Sequence, residues 1–339
     1  MVHTSQYGSG VTHFHYLITR IVQYGARGVQ LFFVASAFTL FLSMANRKQE
    51  EHPNRNFFIR RFFRIAPMYW VGIIFYSFWF IYVQPRPVST GNVIANFLFA
   101  HGISPYWINS LVPGGWSITV EMTFYCVAPW LFSKIRTLDK AVRFVIISLL
   151  FNTLLSYALL KHSLIADKDL WVSFLFLYFP SQLPVFGIGI VLFFLLRQRE
   201  EKEVLKPMTI LASAIMLIAN LTLEIPYLPE HFWFGTGFLL LAVALSRQPF
   251  RVLVNPIIIY IGKISFSLYL VHFAVLFSLD YTGHADFLHP NGLVSALINY
   301  GLRFLLVLVV SSGLAKLFFE FVEVPFQKLG KKLIIRLER

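Results

Sequence analysis

The chain has 339 residues, 57% of them hydrophobic and 17% aromatic, only 13% charged, and a mean hydropathy of +0.66. Soluble globular proteins are near half apolar with about a quarter of their residues charged, so a water-soluble core is excluded as the main use of this apolar content. The net charge of +13 gathers in alternate loops, which points to membrane topology and away from nucleic acid. A single cysteine, Cys126, rules out an intramolecular disulfide and, inside an apolar run, predicts a buried thiol.

Residues 1–27 are polar and aromatic, with His3, His13, His15, Arg20 and Arg27, and no full span fits there. They show neither the basic start nor the apolar centre of a cleavable signal. The first predicted span covers 28–44. A basic loop with Arg47, Lys48, Arg55, Arg60, Arg61 and Arg64 leads to a span over 65–83. Residues 85–115 are rich in Pro, Gly and Asn and read as a loop, whose apolar piece at 93–100 is too brief to cross. The span 116–133 follows, then a basic loop with Lys134, Arg136, Lys140 and Arg143. Spans at 144–160 and 170–196 come next, the latter kinked or broken by Pro180 and Pro184. Arg197, Arg199, Lys202 and Lys206 precede spans at 208–223 and 232–246, and Arg247 and Arg251 precede those at 256–279 and 295–321.

Placing the basic loops inside gives about nine crossings with a cytoplasmic C-terminus. The fold class is therefore all-α, a polytopic transmembrane helix bundle in one domain. It divides into an outer segment 1–27, a bundle over 28–325 and a basic cytoplasmic tail 326–339.

Four polar groups stand out against this background. In the segment opened by Gly114 and Gly115, the residues Ser117, Glu121 and Tyr125 are spaced i, i+4, i+8 and share one helix face. A carboxylate in a span is costly, so Glu121 is either polar glue between helices or part of a reaction site. Arg60, Arg61 and Arg64 fall together on a helix; arginine forks suit phosphate, and the same spacing suits an anchor at anionic lipid. Ser265, Tyr269 and His272 share a face of the span 256–279, where a lone histidine is more often structural than catalytic. His3, His13 and His15 lie at the outer level that the topology gives Ser117 and Glu121, which hints at acid–base chemistry there. Glu320 and Glu323 close the last span and are expected to pair with Lys328. No phosphate loop, nucleophile elbow or metal-ligand spacing is present, and no metal is expected.

Several separated motifs together resemble one family. The run from Gly28 through Ser36 to Phe38, the run Arg60-Arg61-Phe62-Phe63-Arg64 to Trp70, Trp116-Ser117 with Glu121, Phe124, Tyr125 and Pro129, and the run from Gly262 to His272 appear in the order of the membrane-bound acyltransferase-3 family. Glu323 and Pro325 fit as well. The family has ten helices, and its first carries an arginine followed about three turns later by a histidine central to acyl transfer. Val2-His3-Thr4-Ser5-Gln6 is similar to the end of that helix, so His3 matches the family histidine and the preceding part of the helix is missing. Ala37 stands where the family usually has glycine.

The resemblance implies an O-acyltransferase of the bacterial inner membrane, taking an acyl group, expected to be acetyl, from acyl-CoA to a hydroxyl of a cell-surface polysaccharide or lipid-linked sugar. Acyl-CoA is then a co-substrate and not a resident cofactor. His3 and Glu121 are the implied catalytic pair, with Glu121 orienting or steadying a histidine. Arg60, Arg61 and Arg64 would bind the donor's phosphates, and Ser36, Trp116, Ser117, Tyr125, Tyr269 and His272 would shape the substrate site. A transporter of a lipid-linked sugar, using the proline-broken span, and an inactive truncated relative are the competing readings.

Overall fold

A computed structural model describes residues 2–8, 24–197, 211, 230–289 and 292–339. They form helices and turns, with no strand among the described residues. In chain order the helices are α1 (Val2–Ser5), α2 (Gly28–Asn46), α3 (Pro53–Phe78), α4 (Thr90–Phe97), α5 (Gly115–Lys134), α6 (Leu138–Lys161), α7 (Lys168–Leu177), α8 (Phe179–Arg197), α9 (Glu230–Arg247), α10 (Pro256–Tyr281), α11 (Leu293–Phe318) and α12 (Val324–Leu337). Short π-helical turns extend α3 over Trp79–Val83 and join α11 to α12 over Phe319–Glu323.

Local chemistry sets the boundaries. Thr137, Asp167 and Asn255 cap α6, α7 and α10 by accepting from the backbone N–H groups of Lys140, Leu170 and Ile258. Pro53 and Pro256 sit in the first turns of α3 and α10, where their missing N–H costs nothing. Tyr178 is extended, and the expected break of the 170–196 segment falls there, just before Pro180.

Among the described residues, six helical segments are long and apolar enough to cross a membrane: Gly25–Asn46, Pro53–Val83, Leu138–Lys161, Lys168–Arg197, Pro256–Tyr281 and Leu293–Leu337. The chain is thus an all-α polytopic bundle. The expected spans 116–133 and 232–246 are the helices α5 and α9. Helix α5 carries Ser117, Thr119 and Glu121 among its buried residues, so its polarity faces protein. Of the expected span 208–223 only Leu211 is among the described residues, and His13, His15 and Arg20 lie outside them.

Helix α8 is the hub and packs on α2, α5, α6, α7 and α9. Gly189 lets it approach α2 closely: a Cβ there would stand 2.7 Å from the Ala37 Cβ and overlap the Val34 carbonyl. Phe186 stacks on Phe124 of α5 at 4.1 Å between ring centroids and on Phe33 of α2 at 4.6 Å. Helices α10 and α11 pair with each other, and α1 lies against both. Helix α3 links the two groups by touching α5, α10 and α12.

Three expectations change. Arg55, Arg60, Arg61 and Arg64 belong to helix α3, because Pro53 starts that helix well before the apolar run. The basic tail is the helix α12, which runs on through the π turn and lays Gly330 against Phe63 of α3. Cys126 is exposed, because Glu121, Phe124, Tyr125 and Ala128 take the buried face of α5 and turn position 126 outward.

Candidate active site

The chain enters α5 through a tight turn. Gly114 adopts φ 75°, in the left-handed region, and donates its N–H to Asn109 Oδ1 at 3.1 Å. A side chain at Gly114 would be strained by that φ and would overlap the Tyr269 hydroxyl. Tyr269 Oη donates to the Gly114 carbonyl at 3.0 Å, and Ser117 Oγ lies 3.1 Å from Tyr269 Oη. The first turn of α5 is thereby fastened to α10.

His3 sits beside this junction. Its ring packs on Phe273 at 4.3 Å and on His272 at 5.5 Å between centroids. His272 Nδ1 lies 3.3 Å from the Leu268 carbonyl, within its own helix. Three cavities meet here. One of about 320 Å³ is lined by His3, Ser117, Ser265, Tyr269 and His272 with apolar residues of α2. A second of about 280 Å³ shares His3, Ser265, Tyr269 and His272 and reaches Phe304 and Val307 of α11. The third, of about 390 Å³, is the polar one: His3 and Tyr269 join Gln6, Arg27, Gln30, Arg86, Asn109 and Trp116. His3 and Tyr269 line all three. The expected face of Ser265, Tyr269 and His272 does face one chamber.

Glu121 belongs to a different group. It is buried, and its Oε1 accepts from Ser36 Oγ of α2 at 2.7 Å and from Tyr125 Oη at 2.5 Å. Its Oε2 has no hydrogen-bond partner among the described residues. Arg61 and Arg64 of α3 are its electrostatic neighbours. The Arg61 guanidinium lies 5.9 Å from the Tyr125 ring centroid and 5.8 Å from that of Phe57. Among the described residues Glu121 therefore meets Ser36, Tyr125 and arginine, and no histidine. Helix geometry explains it: each i+4 step carries the face about 6 Å along α5, away from His3 and toward the basic end of α3.

The three arginines are not equivalent. Arg60 is held by Glu50, Nη1 to Oε1 at 3.0 Å and Nη2 to Oε2 at 2.9 Å. Glu50 also accepts from Arg47 and Asn56, and Asn56 reaches Glu338 beyond α12. Partial burial works to raise the Glu50 carboxyl, but the hydrogen bonds from Arg60, Asn56 and Arg47 outweigh it and hold the group below its usual range. Arg61 Nε has no hydrogen-bond partner among the described residues, and Arg64 is exposed.

Three further groups come from packing: two that sequence reasoning missed and one, Glu323, whose partner it misassigned. Tyr69 donates to Asn96 Oδ1 at 2.7 Å and lies 3.2 Å from His101 Nε2, which is 3.1 Å from the Gly115 carbonyl. Burial pushes His101 down to about 4, so it stays neutral beneath the α5 turn. Glu323 is buried and accepts from Ser267 Oγ at 2.5 Å, which replaces the expected pairing with Lys328 because the π turn rotates it inward. Arg303, fully buried in α11, is the third; a lone arginine in an apolar span was the available signal.

A family model described as an acyltransferase domain matches residues 1–316. No curated protein and no solved structure matches the chain.

Proposed function

Because the chain belongs to the membrane-bound acyltransferase-3 family, and acyl transfer is what that family does, we propose that it moves an acyl group, acetyl in the first instance, from acyl-CoA to a hydroxyl of a cell-surface polysaccharide or lipid-linked sugar. The observation that carries this reading is the convergence of an apolar and a polar cavity on His3 and Tyr269. The polar cavity, with amides, arginines and Trp116, has the chemistry of a saccharide site. The apolar cavity suits the acyl end of the donor.

In this reading the basic end of the bundle faces the cytoplasm of a bacterial inner membrane. Arg61 and Arg64 receive the donor's phosphates, and Arg60 joins them if Glu50 lets go. Glu121, fixed by Ser36 and Tyr125, supplies the negative charge that keeps Arg61 in place. His3 Nδ1 lies 3.2 Å from Gln6 Oε1, an acceptor, so Nδ1 carries the proton and Nε2 is left as the base. Nε2 takes the proton of the acceptor hydroxyl as that oxygen attacks the thioester carbonyl. The carbon–sulfur bond then breaks, and the departing thiolate takes the proton from His3 to leave as free CoA thiol.

The test is transfer of a radiolabelled acetyl group from acetyl-CoA to a saccharide acceptor by the purified protein. Label in the acceptor also separates an acyltransferase from a sugar carrier, which needs no acyl donor. His3→Ala should lower transfer by about a hundred-fold or more with the melting temperature unchanged. Transfer at the native rate would remove His3 from the chemistry.

A further inference from the structure

Helix α11 carries one arginine in its apolar middle, and Arg303 is 0% exposed. A buried guanidinium is costly unless its donors are used. All three nitrogens of Arg303 are used. Nε donates to the Ala285 carbonyl at 2.6 Å, Nη1 to the carbonyls of Thr4 at 2.7 Å and of Tyr7, and Nη2 to Asp286 Oδ1 at 2.6 Å. One turn earlier, Asn299 holds the same loop by accepting from the N–H groups of Phe287 at 3.0 Å and Leu288 at 2.9 Å.

Two of the four acceptors lie in the segment that carries His3. Helix α1 (Val2–Ser5) lies against α10 and α11, so the groups that hold its backbone there set where His3 stands. Thr4 follows His3 directly, and the Gln6 N–H closes the turn on the His3 carbonyl at 3.2 Å. Gly8 lies against the same guanidinium with φ 66°, and a Cβ there would collide with Arg303 Nη2. We propose that Arg303 is a positioning residue that fixes His3 in its chamber, by bridging the backbone of residues 4–7 to the 285–286 loop. A planar fork does this and an ammonium does not, since three carbonyls and a carboxylate must be reached from one side chain.

The catalytic consequence rests on His3 being the base; the placement of His3 does not. Carbethoxylation of His3, followed by mass spectrometry with the exposed His52 as internal reference, reads the placement alone. Arg303→Met should raise His3 labelling several-fold relative to His52, with Arg303→Lys in between. In acyl transfer, Arg303→Met should lower kcat on the order of ten- to a hundred-fold, as a misplaced group does. KM for acetyl-CoA should stay within about two-fold, because the phosphate site is untouched. Gly8→Ala, at an exposed position, is the second variant. It should mimic Arg303→Met in part and add nothing to it in the double mutant.

Unchanged His3 labelling in both Arg303→Met and Gly8→Ala overturns the proposal. So does raised labelling with native kcat while His3→Ala is inactive. If His3→Ala stays active, the labelling still decides what Arg303 does, and the failure belongs to the assignment of the base.

Discussion

The Glu121 cluster gives the sharpest test of the site. Tyr125→Phe removes the hydroxyl that donates to Glu121 Oε1 at 2.5 Å and leaves Ser36 Oγ at 2.7 Å as the remaining donor. A hydrogen bond to a charged acceptor contributes about 1.5–3 kcal/mol, and one between neutral groups about 0.5–1.5 kcal/mol. If Glu121 carries charge opposite Arg61 and Arg64, Tyr125→Phe costs about 2–3 kcal/mol in the native protein and about 1 kcal/mol in a Glu121→Gln background. The coupling between the two substitutions is then about 1–2 kcal/mol. Glutamine keeps the shape and the accepting Oε1, so the cycle isolates the charge. Unfolding in detergent micelles, with all four proteins measured together, gives the coupling directly. A value below about 0.5 kcal/mol, the level at which independent sites add, would falsify the charged anchor and with it the part given to Glu121 in holding Arg61.

Four further outcomes follow from described contacts. Arg61→Ala and Arg64→Ala should each raise KM for acetyl-CoA more than Arg60→Ala does, since Glu50 already occupies Arg60; equal effects measured by initial rates would contradict this. The Glu50 carboxyl is held low, so the stability it contributes is present above the ordinary carboxylate range and is lost as pH falls through its lowered value; melting curves between about pH 3 and 7 should flatten in Glu50→Gln. His101 titrates near 4 when folded and near 6.5 when unfolded, so it favours folding above that window and loses on the order of 3 kcal/mol as pH drops across it, a loss that His101→Gln should remove from the melting curve. Gly189→Ala should destabilise by about 1–3 kcal/mol through overpacking on Ala37 and Val34, visible as a lower melting temperature.

The helices and the spacing along each of them were readable in the chain. Apolar runs and prolines placed α2, α8 and α10, and the i, i+4 rule put Ser117, Glu121 and Tyr125 on one face. Neighbours across the bundle were not readable, because they depend on which helices pack. Ser36 reaches Glu121 over 85 positions, and Arg303 reaches Thr4 over 299. The family resemblance gave Glu121 a histidine and nearness in the chain gave Glu323 to Lys328, whereas among the described residues both accept from hydroxyls. Cys126 failed for the same reason: a helix hydrophobic on most sides does not announce which side turns outward until its polar residues find partners.

That outward turn has a practical consequence. The protein has one cysteine, and Cys126 stands exposed on the same rigid helix as Ser117, Glu121 and Tyr125. A spin label or fluorophore attached there needs no cysteine removed from elsewhere and displaces no group of the site. It would report tilting of α5 as acyl donor and acceptor arrive, so the wild-type chain already carries its own spectroscopic handle beside the chemistry.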